Sequence, residues 1–198
     1  ALEKPSGRLI GIVTYGVPSS APLRAGICGN SYANNVLELN RLVCENRKNL
    51  ASLLVGRSLR MLAKPSVIVS YADIGQGHIG YVYQACNFLY TGLSAKRTDW
   101  KLRGMESLHG QSVADMSRGM VGRAEFMREK FGDDFFLKDR PRKHRYVFFV
   151  GSKYQRSCMR RELRYEIIPY PKGDGEKYTA PMPNASQSVM MFEERQGK

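Results

Sequence analysis

Short runs of apolar, β-branched residues alternate with segments of helical periodicity, and this order constrains the fold most. Strands are predicted at residues 9–15, 36–44, 67–71 and 89–93. Between them, apolar residues at helical spacing predict helices at 50–62 and 79–88. The run Val67–Tyr71 is typical of a strand buried on both faces. The order β, β, α, β, α, β predicts a mixed α/β fold.

The rest of the chain divides into three further parts. Residues 94–144 are polar and Met-rich, with one helix expected near 121–130, and we interpret them as an inserted lid or subdomain after the core at 1–93. Residues 145–171 are expected to close the core, with strands at 146–150 and 165–168 and a basic helix between them. The tail at 172–198 is rich in Pro, Gly and polar residues and is expected to be extended.

The charge of the chain points to a polyanionic partner. There are 31 basic and 18 acidic residues, a net charge of +13, and nucleic acid is the polyanion that such an excess favours. No apolar run reaches the 18 residues that would predict a membrane-spanning helix, and the first 30 residues show no signal peptide. Four cysteines without CxxC spacing argue against a zinc site and fit a reduced cytoplasm, where we expect the protein to act.

The basic residues are concentrated at 138–164, where ten Lys or Arg face only two acids. Arg156, Arg160 and Arg161 recur at helical spacing, and a row of guanidinium groups suits phosphate contacts. A solvated helix face is the alternative interpretation. The residues we predict to bind nucleic acid, double-stranded DNA in particular, are Arg142, Lys143, Arg145, Lys153, Arg156, Arg160, Arg161 and Lys172.

The segment 71–92 carries the most specific chemistry. Asp73 lies just beyond the end of a buried strand, where open α/β sheets place ligands, and a glycine-rich turn then leads into a helix. Asp73 can act as a base, His78 as a base or ligand, and Tyr83 as an acid. Alternatively, Asp73 only caps the turn and His78 is structural. Asp73 and His78 are too few for a metal site, and none is predicted.

The run Y-Q-A-C-N-F at 83–88 resembles the Y-[E/Q]-x-x-[G/N]-F signature of the GNAT acyltransferase superfamily. The resemblance implies that Tyr83 protonates the leaving thiolate of coenzyme A. It also implies a mixed, mostly antiparallel sheet flanked by helices, in which the strands at 36–44 and 67–71 are parallel neighbours that splay apart. The first strand and helices of a GNAT domain have no counterpart before Gly7, as in a compact variant or a chain that lacks its N-terminal portion.

A longer stretch, S-Y-A-D-x-x-x-G-H-x-G-x-V-Y-Q-A-x-N-F-x-Y-x-G, resembles the Mom-type DNA adenine modification proteins of phages, which are divergent GNAT members. The pieces E-L-N-R-L at 38–42, K-H-R-Y at 143–146 and P-Y-P-K-G at 169–173 fit the same family. This resemblance implies transfer of a small acyl-derived group to adenine N6, a carbamoylmethyl-type modification that shields phage DNA from restriction in the bacterial cytoplasm. The alternatives are a GNAT enzyme acting on a small molecule or protein amine, and a non-enzymatic nucleic-acid binder.

The superfamily's glycine-rich pyrophosphate cradle is replaced here by Asn46-Arg47-Lys48-Asn49-Leu50-Ala51. A helix start that carries Arg47, Lys48 and Asn49 can still hold a phosphate, so these three are the candidate cofactor-binding residues. The group donor is left open, with acetyl-coenzyme A or an aminoacylated tRNA as candidates. His109 and Ser112, in the insertion, receive no role.

Overall fold

The computed structural model describes residues 1–3 and 5–173, and its centre is a five-stranded sheet in the order β1-β2-β3-β7-β4. A separate two-stranded sheet pairs β5 with β6. The strands are β1 (Gly11–Gly16), β2 (Val36–Cys44), β3 (Ser66–Asp73), β4 (Leu89–Leu93), β5 (Arg97–Leu102), β6 (Phe135–Arg140) and β7 (Lys143–Val150). Only β2 and β3 run parallel within the main sheet, which confirms the predicted mixed, mostly antiparallel α/β class.

Helices cover both faces of the main sheet. They are α1 (Ala21–Cys28), α2 (Leu50–Leu59), α3 (Tyr81–Ala85), α4 (Gly110–Asp115), α5 (Arg123–Phe131) and α6 (Lys153–Arg161). On the face we call the α2 face, α2 and α3 pack on Leu39, Ile68 and Tyr146. On the opposite face, the α6 face, α1 and α6 pack on Val69 and Val147. The strands β3 and β7 therefore alternate their side chains between two buried clusters, which explains the near-continuous apolar run in β3.

The region 94–144 contains more regular structure than its composition predicts. The expected helix is present as α5, but β5 and β6 also pair as an antiparallel ribbon that was not predicted. Their sequences, RTDWKL and FFLKDR, mix charges with aromatic residues and lack the clean alternation of a strand signal. A small cluster of Leu102, Val113 and Met127 forms the core of this region.

Three expectations about elements were wrong. The stretch 18–35, where no helix was predicted, contains α1, which begins where the Ser20 hydroxyl accepts a hydrogen bond from the Leu23 amide at 3.3 Å. The helix expected at 79–88 is shorter, Tyr81–Ala85. Residues 165–168 do not form a strand, because this stretch crosses from α6 to the sheet edge and the Ile168 amide makes a single backbone bond, to Tyr90. Of the expected extended tail, 174–198 lie outside the described residues.

None of the helices within the described residues is both long and apolar enough to cross a bilayer.

Candidate active site at the divided sheet

The main sheet divides between its two parallel strands. β2 and β3 pair only at Val36–Val67, Leu37–Ile68 and Glu38–Val69, although both strands continue for several residues beyond. The predicted splaying of these neighbours is therefore present. Immediately past the last pair, the Ser70 hydroxyl donates to the Leu39 carbonyl at 3.0 Å.

A bulge in β2 accompanies the division. The register with β1 shifts so that Thr14 opposes Arg41 while Tyr15 opposes Leu39, which leaves Asn40 as the extra residue. The Asn40 side chain accepts a hydrogen bond from the Thr14 hydroxyl at 2.7 Å. Bulges bend the strand that contains them and are common next to functional sites. Here the bend turns β2 away from β3 and opens a gap in the sheet.

Tyr83 lies on the α2 face beside this gap. Its hydroxyl shares a hydrogen bond with Ser70, and its ring lies 5.5 Å from that of Phe88 and 5.3 Å from that of Tyr146. Burial raises the pKa of Tyr83, so the phenol stays protonated at neutral pH.

The position of α3 depends on a glycine. Gly80 precedes the helix with φ +84°, and a Cβ at that position would lie 2.5 Å from a ring carbon of Tyr146. Only glycine allows both the left-handed backbone and this close approach. The buried Tyr146 hydroxyl in turn donates to the Ile79 carbonyl and accepts from Gln84 at 3.1 Å. The turn before α3 is thereby fixed to β7, and Tyr83 is fixed with it.

Asp73 lies on the α6 face, away from Tyr83. One carboxylate oxygen accepts from the Gly75 amide at 2.9 Å, and the other lies 3.2 Å from Nζ of Lys143, its partner across the β3–β7 ladder. Strand alternation places Asp73 with Tyr71 and opposite Ser70. The structure therefore does not bring the Asp73 and Tyr83 side chains together on one face of the sheet.

The contacts of His78 and His109 show where each of these histidines lies. His78 is half-buried between β3 and α3, and its amide donates to the Asp73 carbonyl at 3.0 Å. His109 caps α4, because its Nδ1 accepts from the Gln111 amide at 3.1 Å, and Ser112 is exposed on that helix. Within residues 1–3 and 5–173, no three His, Cys, Asp or Glu side chains group in a way that could hold a metal ion.

Two further residues near the gap were not singled out from the sequence. Glu38 belongs to the last β2–β3 pair and is half-buried. Burial raises its pKa, and the positive charge of Lys143 acts to lower it. Its charge also acts on Tyr71 and on Tyr83, which lie on opposite faces. The available signal was a lone carboxylate inside the apolar strand sequence VLELN. His144 is the other: its Nδ1 lies 2.8 Å from the Tyr90 hydroxyl, and burial lowers its pKa.

The residues predicted to hold a cofactor phosphate are engaged differently. Arg47 pairs with Glu3 at 2.7 Å and with Glu45 at 2.8 Å, so two carboxylates already neutralise its charge. Lys48 is exposed, and Asn49 precedes α2 with φ 62° and makes no side-chain cap. With no glycine in this turn and Arg47 held by carboxylates, these residues do not fit the superfamily's pyrophosphate cradle.

The residues predicted to bind nucleic acid separate into two groups. Arg142 donates to the Ser94 carbonyl at 2.7 Å, and Arg145 donates to Thr91 and stacks 3.4 Å from the centre of the Tyr165 ring. Together with Lys143, which pairs with Asp73, they serve contacts inside the protein. The other group is exposed on α6 and beyond it, and consists of Lys153, Arg156, Arg160, Arg161 and Lys172.

The fold and the site thus define a mixed α/β protein with a divided sheet, a half-buried phenol beside the gap and a basic helix on its surface. The sequence profile of the Mom protein family matches residues 5–172, and the chain therefore belongs to that family. Membership implies phage DNA modification. A comparison with curated proteins found no match.

Proposed function

We propose that this protein transfers a small acyl-derived group to N6 of adenine in double-stranded DNA, a carbamoylmethyl-type modification that protects phage DNA from restriction. The observation that carries the proposal is the half-buried Tyr83 hydroxyl, hydrogen-bonded to Ser70 beside the gap, in a chain of a DNA-modifying family. A phenol held in this way is suited to donate a proton to a leaving group.

Adenine N6 is a weak nucleophile, because its lone pair is delocalised into the ring. The enzyme must therefore orient the amine, accept one of its protons and stabilise the charge that develops. In the proposed step, N6 bonds to a carbon of the donor while the bond from that carbon to the leaving group breaks. The N6 proton passes to a carboxylate, and Tyr83 protonates the leaving group and regains its proton by way of solvent.

Two carboxylates are candidates for the base. Asp73 is the residue predicted from the sequence, and its contacts with Gly75 and Lys143 hold it at the end of β3. Glu38 lies nearer the gap, and burial raises its pKa, which makes its carboxylate a stronger base than an ordinary glutamate. Because no backbone ladder separates the two faces beyond Glu38, we propose that acid and base reach the substrate from opposite faces through the gap.

Duplex DNA stacks and pairs its adenines, which blocks the approach of a reagent to N6. We therefore propose that the target base is flipped out of the helix before it reacts. The donor is an activated small group on a carrier. The turn at residues 46–51 does not fit the usual cradle for coenzyme A, which disfavours coenzyme A as the carrier. An aminoacylated tRNA satisfies the same chemistry.

The proposal is tested by nucleoside mass spectrometry on DNA from bacteria that express the chain. We expect a modified adenosine, lost in Glu38→Gln and kept in the matched variant Glu45→Gln, whose side chain pairs with Arg8 and Arg47 at the surface. Unmodified DNA together with turnover of acetyl-coenzyme A on a small amine would instead identify a GNAT enzyme of a different substrate class.

A further inference from the structure

A second concave surface lies away from the gap. It is an open groove of about 830 Å³ between α2, the end of α3, the end of β7 and the start of α6. Its Val150 pairs with Ser66, the first residue of β3, whereas Asp73 is the last residue of that strand. The groove therefore lies at the opposite end of β3 from Asp73, and its lining includes none of Glu38, Ser70 and Tyr83.

Among the residues that the structure describes, four cations and no carboxylate line this groove. Arg57, Arg60 and Lys64 come from α2 and the loop after it, and Arg156 comes from α6. In the part of the chain that the structure describes, none of these four lies within 4.0 Å of an acidic group. Within residues 1–3 and 5–173, the fold thus brings four like charges together without a carboxylate beside them, which favours a polyanion as the partner.

The cations form a row that continues beyond the groove. Arg57 and Arg60 are one turn apart on α2, and Lys64 follows four residues later. On α6, Lys153, Arg156 and Arg160 share one face by their spacing, so Arg156 belongs both to the groove and to this second row. Seven helical residues span about 10 Å, a length over which one strand of B-DNA presents about three phosphates.

We propose that this groove, continued by the exposed face of α6, binds the sugar-phosphate backbone of double-stranded DNA. The inference rests on the proposed function, because it names the surface that holds the substrate duplex. The openness of the groove favours a polymer that passes through it, since sites for small molecules bury most of their ligand. Arginine forks along the row match successive phosphates and position the duplex without reading its sequence.

The test is the salt dependence of binding to a fluorescein-labelled DNA duplex, followed by anisotropy from about 50 to about 200 mM salt. Each lost phosphate contact lowers the slope of log K against log salt by about 0.9, so the triple variant R57A/R60A/K64A should lower it by about 2–3. The matched control R41A/R103A/R128A removes the same charge at exposed positions outside the groove and should keep the wild-type slope. Thermal unfolding confirms that both variants fold.

An equal fall of the slope in both variants would show that only net charge matters, and an unchanged slope in the groove variant would exclude the groove. If the groove variant loses binding to a tRNA competitor while keeping that to the duplex, the surface serves RNA and the proposal is wrong. Binding is measured without any donor. A groove-dependent slope in a protein that leaves adenine unmodified would therefore retain the groove and refute only the proposed function.

Discussion

Replacing Tyr83 by Phe removes a single oxygen, and the structure allows the cost to be worked out. The ring contacts with Phe88 and Tyr146 remain, and the Ser70 hydroxyl keeps its bond to the Leu39 carbonyl. Only the hydrogen bond between Tyr83 and Ser70 is lost, which costs about 0.5–1.5 kcal/mol of stability. For a domain of this size, the melting temperature should fall by about 2–4 °C per kcal/mol.

The effect of the same change on catalysis should be much larger. A positioned proton donor contributes about 10²–10⁴-fold to a rate, so the adduct yield per unit time should fall by that factor. The assay combines adenosine adduct formation, measured by mass spectrometry at fixed times, with thermal unfolding of the same preparation. The informative comparison is the ratio of lost turnover to lost stability.

Tyr146→Phe provides the matched control. This tyrosine is fully buried, and its hydroxyl bonds to both Ile79 and Gln84, so the variant loses two contacts. It should therefore melt lower than Tyr83→Phe while keeping more of its turnover at a temperature where it is folded. Wild-type adduct formation in Tyr83→Phe would refute the role of Tyr83 as a proton donor. Equal losses of turnover in both variants would show that Tyr83 contributes only through packing.

Other predictions concern proton acceptance, salt and pH. Asp73→Asn keeps an acceptor for the Gly75 amide and loses the pair with Lys143, worth about 0.2–1 kcal/mol, so we expect a folded protein. Its adduct yield, compared with that of Glu38→Gln, decides between the two candidate bases. No adduct would assign proton acceptance to Asp73, and full yield would remove Asp73 from the mechanism and leave Glu38 and His78 as candidate bases. Three arginines are exposed on α6: Arg156, Arg160 and Arg161. Neutralising all three should lower the slope of log K against log salt for duplex binding by about 2–3, and a salt-insensitive complex would contradict this prediction. Burial raises the pKa of Tyr71 and of Tyr146 to about 12, whereas unfolded tyrosine titrates near about 10. Between these two pH values the folded state keeps protons that the unfolded state releases. Denaturant titrations should therefore show full stability below about pH 10 and a decline in the free energy of unfolding towards about pH 12.

The elements predicted well from the sequence are those whose own residues determine them. The β2 strand has its predicted bounds, and β3 and α2 differ from theirs by one to three residues, because apolar β-branched runs and leucine spacing are local signals. The α1 helix was missed because its Pro22 and Gly26 are typical of loops, although Ser20 in front of it was a recognisable cap. The β5–β6 ribbon was missed because most of its residues are polar and half of its side chains are exposed, which leaves no clear apolar alternation.

The candidate site was predictable as a list of residues but not as an arrangement. Tyr83 was found through a motif, whereas the face on which Asp73 lies depends on the exact end of β3 and on strand alternation. Arg142 and Arg145 looked like DNA ligands, because sequence shows their charge and not the carbonyls of β4 and the loop after it that they satisfy. The groove cations on α2 were not predicted to bind DNA, because the sequence does not show that Arg156 of α6 lies beside them in the folded protein.

The division of the sheet creates a strand edge inside the protein. Beyond Glu38 in β2 and Val69 in β3, every second backbone amide and carbonyl points into the gap, and within the described residues the bond from Ser70 to Leu39 is the contact that spans it. The β1–β2 pair and the β3–β7–β4 unit are thus joined by a short ladder of three residue pairs. In hydrogen exchange, the amides that face the gap should exchange well before those of the β3–β7 ladder, and they should become protected when an extended ligand fills the opening.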